Sequence, residues 1–246
     1  MQMELTAQRI KNHLEDLSKY TSTPGQGVTR FPFTKEARMA SEYIMARMAE
    51  IGLKTYMDNS GSVIGRLEGQ IPETVMIGSH LDSVRCGGAY DGIAGAVCGI
   101  EAVRAIVETG IKPYYSIEVV ATNDEEGSRF KSGLFTGKVM DGQLSVDDIK
   151  RYRDEDGISV YDAMLEYGLD PDAIADNRRA DVKAFIEVHI EQGPVLEAAK
   201  KRYWRCRCNR WYSPRSCYRK WQSGSYWNHA HEHAYGCSRS CCKGHC

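Results

Sequence analysis

His80-Leu81-Asp82, Asp91-Gly92, the doublet Glu125-Glu126 and His189 together supply the ligand types and the proton acceptor of a two-metal hydrolase. Zinc and similar ions take imidazole and carboxylate ligands, and two ions about 3.5–4 Å apart need one carboxylate to bridge them. Asp91 is the candidate bridge. His80 and His189 complete the first ion, and Asp82, two residues from His80, is expected to hold the other ring nitrogen of that imidazole. One carboxylate of the doublet is expected on the second ion while its neighbour stays unligated as general base, because adjacent side chains diverge. The spacing leaves open which is which. A lone histidine is ordinarily a core or surface residue, and an acidic turn is ordinarily a solvated one. Here, however, residues 1–200 contain only three histidines, and two of them close apolar strand-like runs with glycine near the turn.

The segments that must position these groups alternate in type. Leu5 to Tyr20 has Ile10, Leu14 and Leu17 at helical spacing, and 21–27 (Thr-Ser-Thr-Pro-Gly-Gln-Gly) is a loop by composition. Glu36 to Ile51 is a second amphipathic helix with Gly52 as its stop. Leu53 to Met57 and Ser62 to Leu67 predict a hairpin around Asn59-Ser60-Gly61. Thr74 to Ser79 is a buried strand ending at His80, Gly92 to Val107 a small-residue-rich buried helix, and Ser116 to Ala121 a central strand that delivers Glu125 and Glu126. Ser145 and Ser159 are expected N-caps, each followed by acids in the first turn. Val182 to Ile190 is expected to return to the sheet and deliver His189. Strands alternating with helices predict an α/β fold in three layers, a mostly parallel sheet with helices on both faces.

The chain changes character near Lys200. Residues 201–246 carry all four tryptophans, four of the seven histidines and seven of the nine cysteines. Of the 32 basic and 33 acidic side chains, ten and one fall there, leaving 22 and 32 in residues 1–200; a body near −10 and a tail near +9 hide behind the net charge of −1. The expected division is therefore a body, 1–200, and a disordered tail, 201–246. Cys206-x-Cys208, Cys241-Cys242 and His229-x-His231-x-His233 lack the spacings of structural zinc sites. A secreted disulfide segment does not suit a chain with no signal peptide before the body and no evident pairing of Cys86 with Cys98. A reading-frame shift fits best. Residues 200–204 (Lys-Lys-Arg-Tyr-Trp) can be written AAA AAA CGA TAT TGG, and one adenine fewer gives Lys-Asn-Asp-Ile-Gly. Residues 228–246, read from the second base, can encode a turn and an alanine-rich helix in place of a string with no period. No run approaches the roughly 20 apolar residues of a membrane span, and the few cysteines of the body make a reducing cytoplasm the default.

GSHLDSV with GGAYDG, NDEEGSRF and FIEVHIEQGPVLE resemble the dinuclear metal amidohydrolases of the M20 peptidase superfamily. The likeness is to the branch that holds N-carbamoyl-L-amino-acid hydrolases and allantoate amidohydrolases. Gly27-Val28-Thr29-Arg30 matches the same branch, and the resemblance covers essentially residues 1–200. It implies that His80, Asp91 and His189 bind one metal, that Asp91 and Glu126 bind the other, and that Glu125 is the base, supported by Asp82. Gln192 matches a position near the substrate.

The resemblance further implies two divalent ions, zinc, manganese, cobalt or nickel, and hydrolysis of a ureido or N-carbamoyl C–N bond in a small-molecule substrate. A homodimer is expected of the intact family member and not of this chain; no specific nucleic acid and no membrane partner are expected. A family member continues about as long again beyond Lys200, with a late histidine as the remaining ligand of the second metal, so that site lacks one ligand here and the printed chain is expected to be inactive. His229, His231, His233 and His245 are not candidates for that role. Two other readings remain: a peptidase- or aminoacylase-type amide hydrolase, and a non-catalytic protein whose basic Cys/His tail binds metal or nucleic acid.

Overall fold

Three extended segments with side chains alternating between two faces build the parallel part of the sheet that carries the site. They are Ile71–His80 (β3), Tyr115–Thr122 (β4) and Val182–Ile186 (β5). The computed structural model describes residues 2–201 and 203, with side chains from residue 6 onward. Strands β3 and β4 run parallel with His80 opposite Thr122, and β3 and β5 run parallel with Ile77 opposite Ile186. The expected hairpin is present as Lys54–Met57 (β1) and Val63–Leu67 (β2), and β2 adds antiparallel to β4 with Val63 opposite Ala121. The sheet order is β1-β2-β4-β3-β5. The α/β class expected from the sequence holds, with a mixed sheet that is parallel in one half and antiparallel in the other.

Helices Gln2–Leu17 (α1), Lys35–Glu50 (α2) and Ile93–Glu108 (α3) share one apolar core with the sheet. Leu14 and Leu17 of α1, Ala40, Ile44 and Met48 of α2, and Ala96, Val97 and Ile100 of α3 meet Val63, Val119 and Ala121. Full burial of side chains such as Ile44 and Ile100 stabilises by roughly 1.5–3 kcal/mol each. Thr34 caps α2 by accepting the Ala37 N–H. Helix α3 lies close against the sheet because Gly95 has no side chain: a Cβ there would stand 2.3 Å from the Val188 carbonyl oxygen and 2.6 Å from Ser79 Cβ.

On the opposite face β4 presents Glu118, buried between two arginines. Arg66 Nη1 meets it at 2.8 Å and Arg179 Nη1 at 2.9 Å. Arg179 also grips Asp181 through Nε and Nη2 at 2.7 and 2.8 Å, and Thr74 donates to Asp181 at 2.8 Å. The start of β5 is thereby fastened to β3 and β4 through charge.

A second cluster gathers Phe33, Phe130 and Phe135 with the short helices Phe135–Met140 (α4), Val146–Arg151 (α5) and Val160–Glu166 (α6), and a 3-10 helix over Pro171–Asn177. Ser145 and Ser159 cap α5 and α6 as expected, each in a reciprocal capping box with Asp148 or Asp162. Helix α4 and the 3-10 turn have no counterpart in the sequence reading. Strand β5 is shorter than the expected 182–190. It stops at Ile186, and beyond it Ser79 donates to the Glu187 carboxylate at 2.5 Å, so a side-chain contact replaces the ladder. His189 follows three residues after the strand.

Among the described residues one compact unit ends at His189, and a second begins at Ile190. In the second, Val195–Ala198 (α7) forms one turn, and Leu196 N–H donates to the Glu191 carboxylate at 2.7 Å. The expected domain boundary at Lys200 and the disordered tail concern residues that, apart from 201 and 203, lie outside those described. Among the described residues no helix is long and apolar enough to cross a membrane.

Candidate metal centre

The C-terminal ends of β3 and β4 lie side by side, which is where parallel sheets present ligand sites. His80 is the last residue of β3 and only 2% exposed. Its Nδ1 lies 2.9 Å from the Asp82 carbonyl oxygen. With Nδ1–H donating there, the other ring nitrogen, Nε2, is turned toward Asp91 and His189. His80 Nε2 is 3.4 Å from His189 Nε2, and Asp91 Oδ1 is 3.7 Å from the first and 3.1 Å from the second. Two nitrogens on one tetrahedral ion at bonds of about 2.0–2.1 Å stand roughly 3.3 Å apart. The spacing of this trio is thus that of three ligands on a single cation.

Glu125 and Glu126 complete a second group with His80, its ligand atoms all within 4.8 Å of one another; His80, Asp91 and His189 form the first group on the same criterion. His80 is common to both, whereas the sequence reading puts Asp91 in the shared position. The acidic turn is rigidly held. Asp124 adopts φ 55°, the Phe135 N–H donates to its carbonyl at 2.9 Å, and the Leu134 N–H donates to the Glu125 carbonyl at 2.7 Å.

Asp82 corrects one expectation. Its carboxylate does not reach the imidazole within hydrogen-bond distance, Oδ1 being 3.9 Å from His80 Nδ1. It accepts instead the backbone N–H of Glu125 at 3.0 Å and that of Glu126 at 3.1 Å. The contact to His80 is made by the Asp82 main chain, because the turn after β3 folds that carbonyl back under the ring. One residue therefore ties the histidine ligand to the acidic doublet.

The electrostatics are those of a buried acid cluster. Burial acts to lower the pKa of His80, but the hydrogen bond with Asp91 and the charges of Asp82 and Glu125 outweigh it and lift it to about 10. Burial raises Glu125 to about 7, reinforced by Asp82, Glu126 and Glu187 against the opposing charge of His80. Glu126 is raised as well, chiefly by burial. Asp124, fully buried, is raised to about 7 by burial and by Asp82. Carboxylates that resist ionisation together beside two imidazoles recruit positive charge, and a divalent cation supplies more of it than a proton.

Two further residues bear on the centre without offering it a ligand atom. Gly92 (φ 65°) passes so close to His80 that a Cβ there would stand 2.5 Å from the ring. Arg30 is buried and donates to the Leu81 carbonyl oxygen at 2.7 Å; the sequence marks it only as part of a motif. Gln192 belongs to the second unit.

Residues 76–237 match the family described as Peptidase family M20/M25/M40, and the chain belongs to it. Among its relatives is an N-carbamoyl-L-amino acid amidohydrolase of Geobacillus stearothermophilus, 43% identical over 199 residues, covering 79% of this chain and 48% of the relative. Another is an allantoate amidohydrolase of Bacillus subtilis (strain 168), 40% identical over 190 residues, covering 76% of this chain and 46% of that one. The crystal structure of a hydantoinase/carbamoylase family amidase from Burkholderia vietnamiensis superposes with a TM-score of 0.72 at 31% identity, covering 78% of this chain and 47% of that chain. The chain spans about half the length of the curated relatives it matches.

Proposed function

We propose that residues 1–200 are the metal-binding half of an enzyme that hydrolyses a ureido or N-carbamoyl C–N bond. The observation that carries the reading is the convergence of His80 Nε2, His189 Nε2 and Asp91 Oδ1 at one-ion spacing, with Glu125 and Glu126 gathered about the same His80. The relatives that act on N-carbamoyl amino acids and allantoate support the choice of bond.

In this reading His80, Asp91 and His189 would hold one divalent ion, and Asp91 with Glu126 would hold a second. Bound ions supply Lewis-acid polarisation of the carbamoyl carbonyl and a water acidic enough to ionise near neutrality. Glu125, with a pKa raised to about 7, takes the proton of the water that attacks the carbamoyl carbon and returns it to the leaving nitrogen as the C–N bond breaks. Ammonia and carbon dioxide follow from the released carbamate. Asp82 keeps the backbone of the base in register with His80. Gln192 is assigned to substrate contact.

The division at Lys200 remains part of the proposal, residues 201–246 being read as an out-of-frame tail. Titration of the chain with manganese or cobalt should show one site tighter than any other, lost in His80→Ala and in His189→Ala. Binding that ignores both substitutions would remove the basis of the centre. Ammonia release from an N-carbamoyl-L-amino acid and from allantoate, measured beside cleavage of a dipeptide, separates ureido hydrolysis from peptidase chemistry. The gene restored by removal of one adenine at Lys200-Lys201 is the source of enzyme for that assay.

A further inference from the structure

Arg30 is a cation in an unusual setting. It is 2% exposed, and no carboxylate among the described residues lies within ion-pair distance of it. Its guanidinium donates only to carbonyl oxygens: Nε to Leu81 at 2.7 Å, Nη1 to Leu17 at 2.9 Å and to Tyr20 at 3.1 Å. Its main chain grips the same turn from the side, Arg30 N–H donating to Ser83 Oγ at 3.0 Å and Ser83 N–H to the Arg30 carbonyl at 3.1 Å. Residues 81 and 83 are thus fastened on either side of Asp82.

Burying an arginine without a paired carboxylate costs several kcal/mol, and capping the end of α1 alone does not call for a charge. The compensating charge that faces Arg30 is Asp82, acting through space. Burial lowers the guanidinium pKa to about 10, which leaves it charged at neutral pH. The geometry explains why a fork is needed as well. The peptide between Leu81 and Asp82 is planar, so fixing the Leu81 carbonyl fixes the plane from which Asp82 departs. Asp82 then directs its own carbonyl at His80 Nδ1 and its carboxylate at the amides of Glu125 and Glu126.

We infer that Arg30 is a positioning residue of the metal centre, holding the 81–83 turn so that His80 and the acidic doublet meet one cation. The inference rests on the metal-centre reading above.

The test uses the full chain and cobalt(II) alone, whose visible absorption reports coordination geometry independently of turnover. Affinity and spectrum are compared for the wild type, Arg30→Met and Arg30→Lys, each well below its own melting midpoint. Loss of a residue that orients a ligand should weaken binding about 10- to 100-fold and alter the cobalt spectrum. Arg30→Lys, which keeps the charge but not the planar fork, should recover part of the affinity and less of the spectrum. A folded Arg30→Met chain with wild-type affinity and spectrum, its stability alone reduced, would show a merely structural arginine and overturn the inference. Should Arg30→Met not fold, wild-type affinity and spectrum in Arg30→Lys overturns it equally, since a lysine cannot reproduce the fork. Failure of the wild type to bind cobalt, or binding that survives His80→Ala, sinks the metal centre itself and this inference with it.

Discussion

The carboxylate of Asp82 accepts the backbone N–H of Glu125 at 3.0 Å, and its other oxygen takes the N–H of Glu126 at 3.1 Å. These bonds cross between the turn after β3 and the turn after β4, so the two strand ends that supply His80 and the acidic doublet are joined by one side chain. Because the same residue turns its carbonyl to His80 Nδ1, a shift in Asp82 is felt at once by a ligand and by the base.

Asp82→Asn tests that coupling. An amide offers one acceptor and turns a donor toward the second backbone N–H, so one of the two bonds is lost and an N–H is left facing another. Stability should fall by about 1–3 kcal/mol, the cost of leaving a buried donor unsatisfied. Metal affinity should fall about tenfold or more. Thermal unfolding and cobalt titration check the two parts; an unchanged affinity would confine Asp82 to a structural role.

Gly92→Ala should disturb the centre without removing a ligand. The backbone at φ 65°, ψ −55° is a strained turn that disfavours a side chain, at roughly 1–3 kcal/mol. The added Cβ would stand 2.5 Å from His80 Cε1, Nδ1 and the carbonyl oxygen, so the ring has to move. Metal affinity should drop by more than the loss in stability predicts. A variant that melts lower but binds as tightly as the wild type would show that His80 accommodates the methyl group.

Glu125→Gln and Glu126→Gln separate the doublet. In an enzyme restored to full length, Glu125→Gln should keep its metal content and lose at least the 10²- to 10⁴-fold of general base catalysis, more where the same group also positions the nucleophile. Glu126→Gln should deplete one ion. Metal analysis beside ammonia release checks both, and the reverse pattern would exchange the two roles.

Much of the frame that positions these groups is legible in the sequence because it rests on local chemistry. Ser145 and Ser159 stand ahead of acids in capping-box order, and both cap helices. The polar break at 59–61 between two apolar runs is a hairpin, and the apolar run before His80 is the strand that ends on it. What is not legible depends on contacts distant in the chain or on main-chain atoms. Helix α4 contains a threonine, a glycine and a valine in six residues, too short and too poor in helix formers to show a period. Spacing places Asp82 near His80 but does not show that its carbonyl, and not its carboxylate, meets the ring nitrogen. Arg30 has carbonyl oxygens as partners, and no pattern of residue types announces those. Beyond the early end of β5 lies the Ser79–Glu187 contact, which joins residues over a hundred positions apart.

Stability should fall with acid through the link that holds β5. Asp181 accepts two bonds from Arg179, at 2.7 and 2.8 Å, and one from Thr74 at 2.8 Å, and the Arg179 bonds hold its carboxyl well below the usual carboxylate range. A carboxyl whose folded pKa lies below its unfolded value of about 3.9 binds more protons when unfolded. Its contribution is therefore fully present above about pH 4 and is lost as the pH falls toward the folded value. The side chain is 39% exposed, so solvent screening keeps the effect modest. Asp181→Asn should lower the urea midpoint near pH 6, and the gap to the wild type should narrow as both are taken down to about pH 2.5. Parallel loss of stability in the two proteins over that range would show that Asp181 is not among the groups responsible for the acid limb.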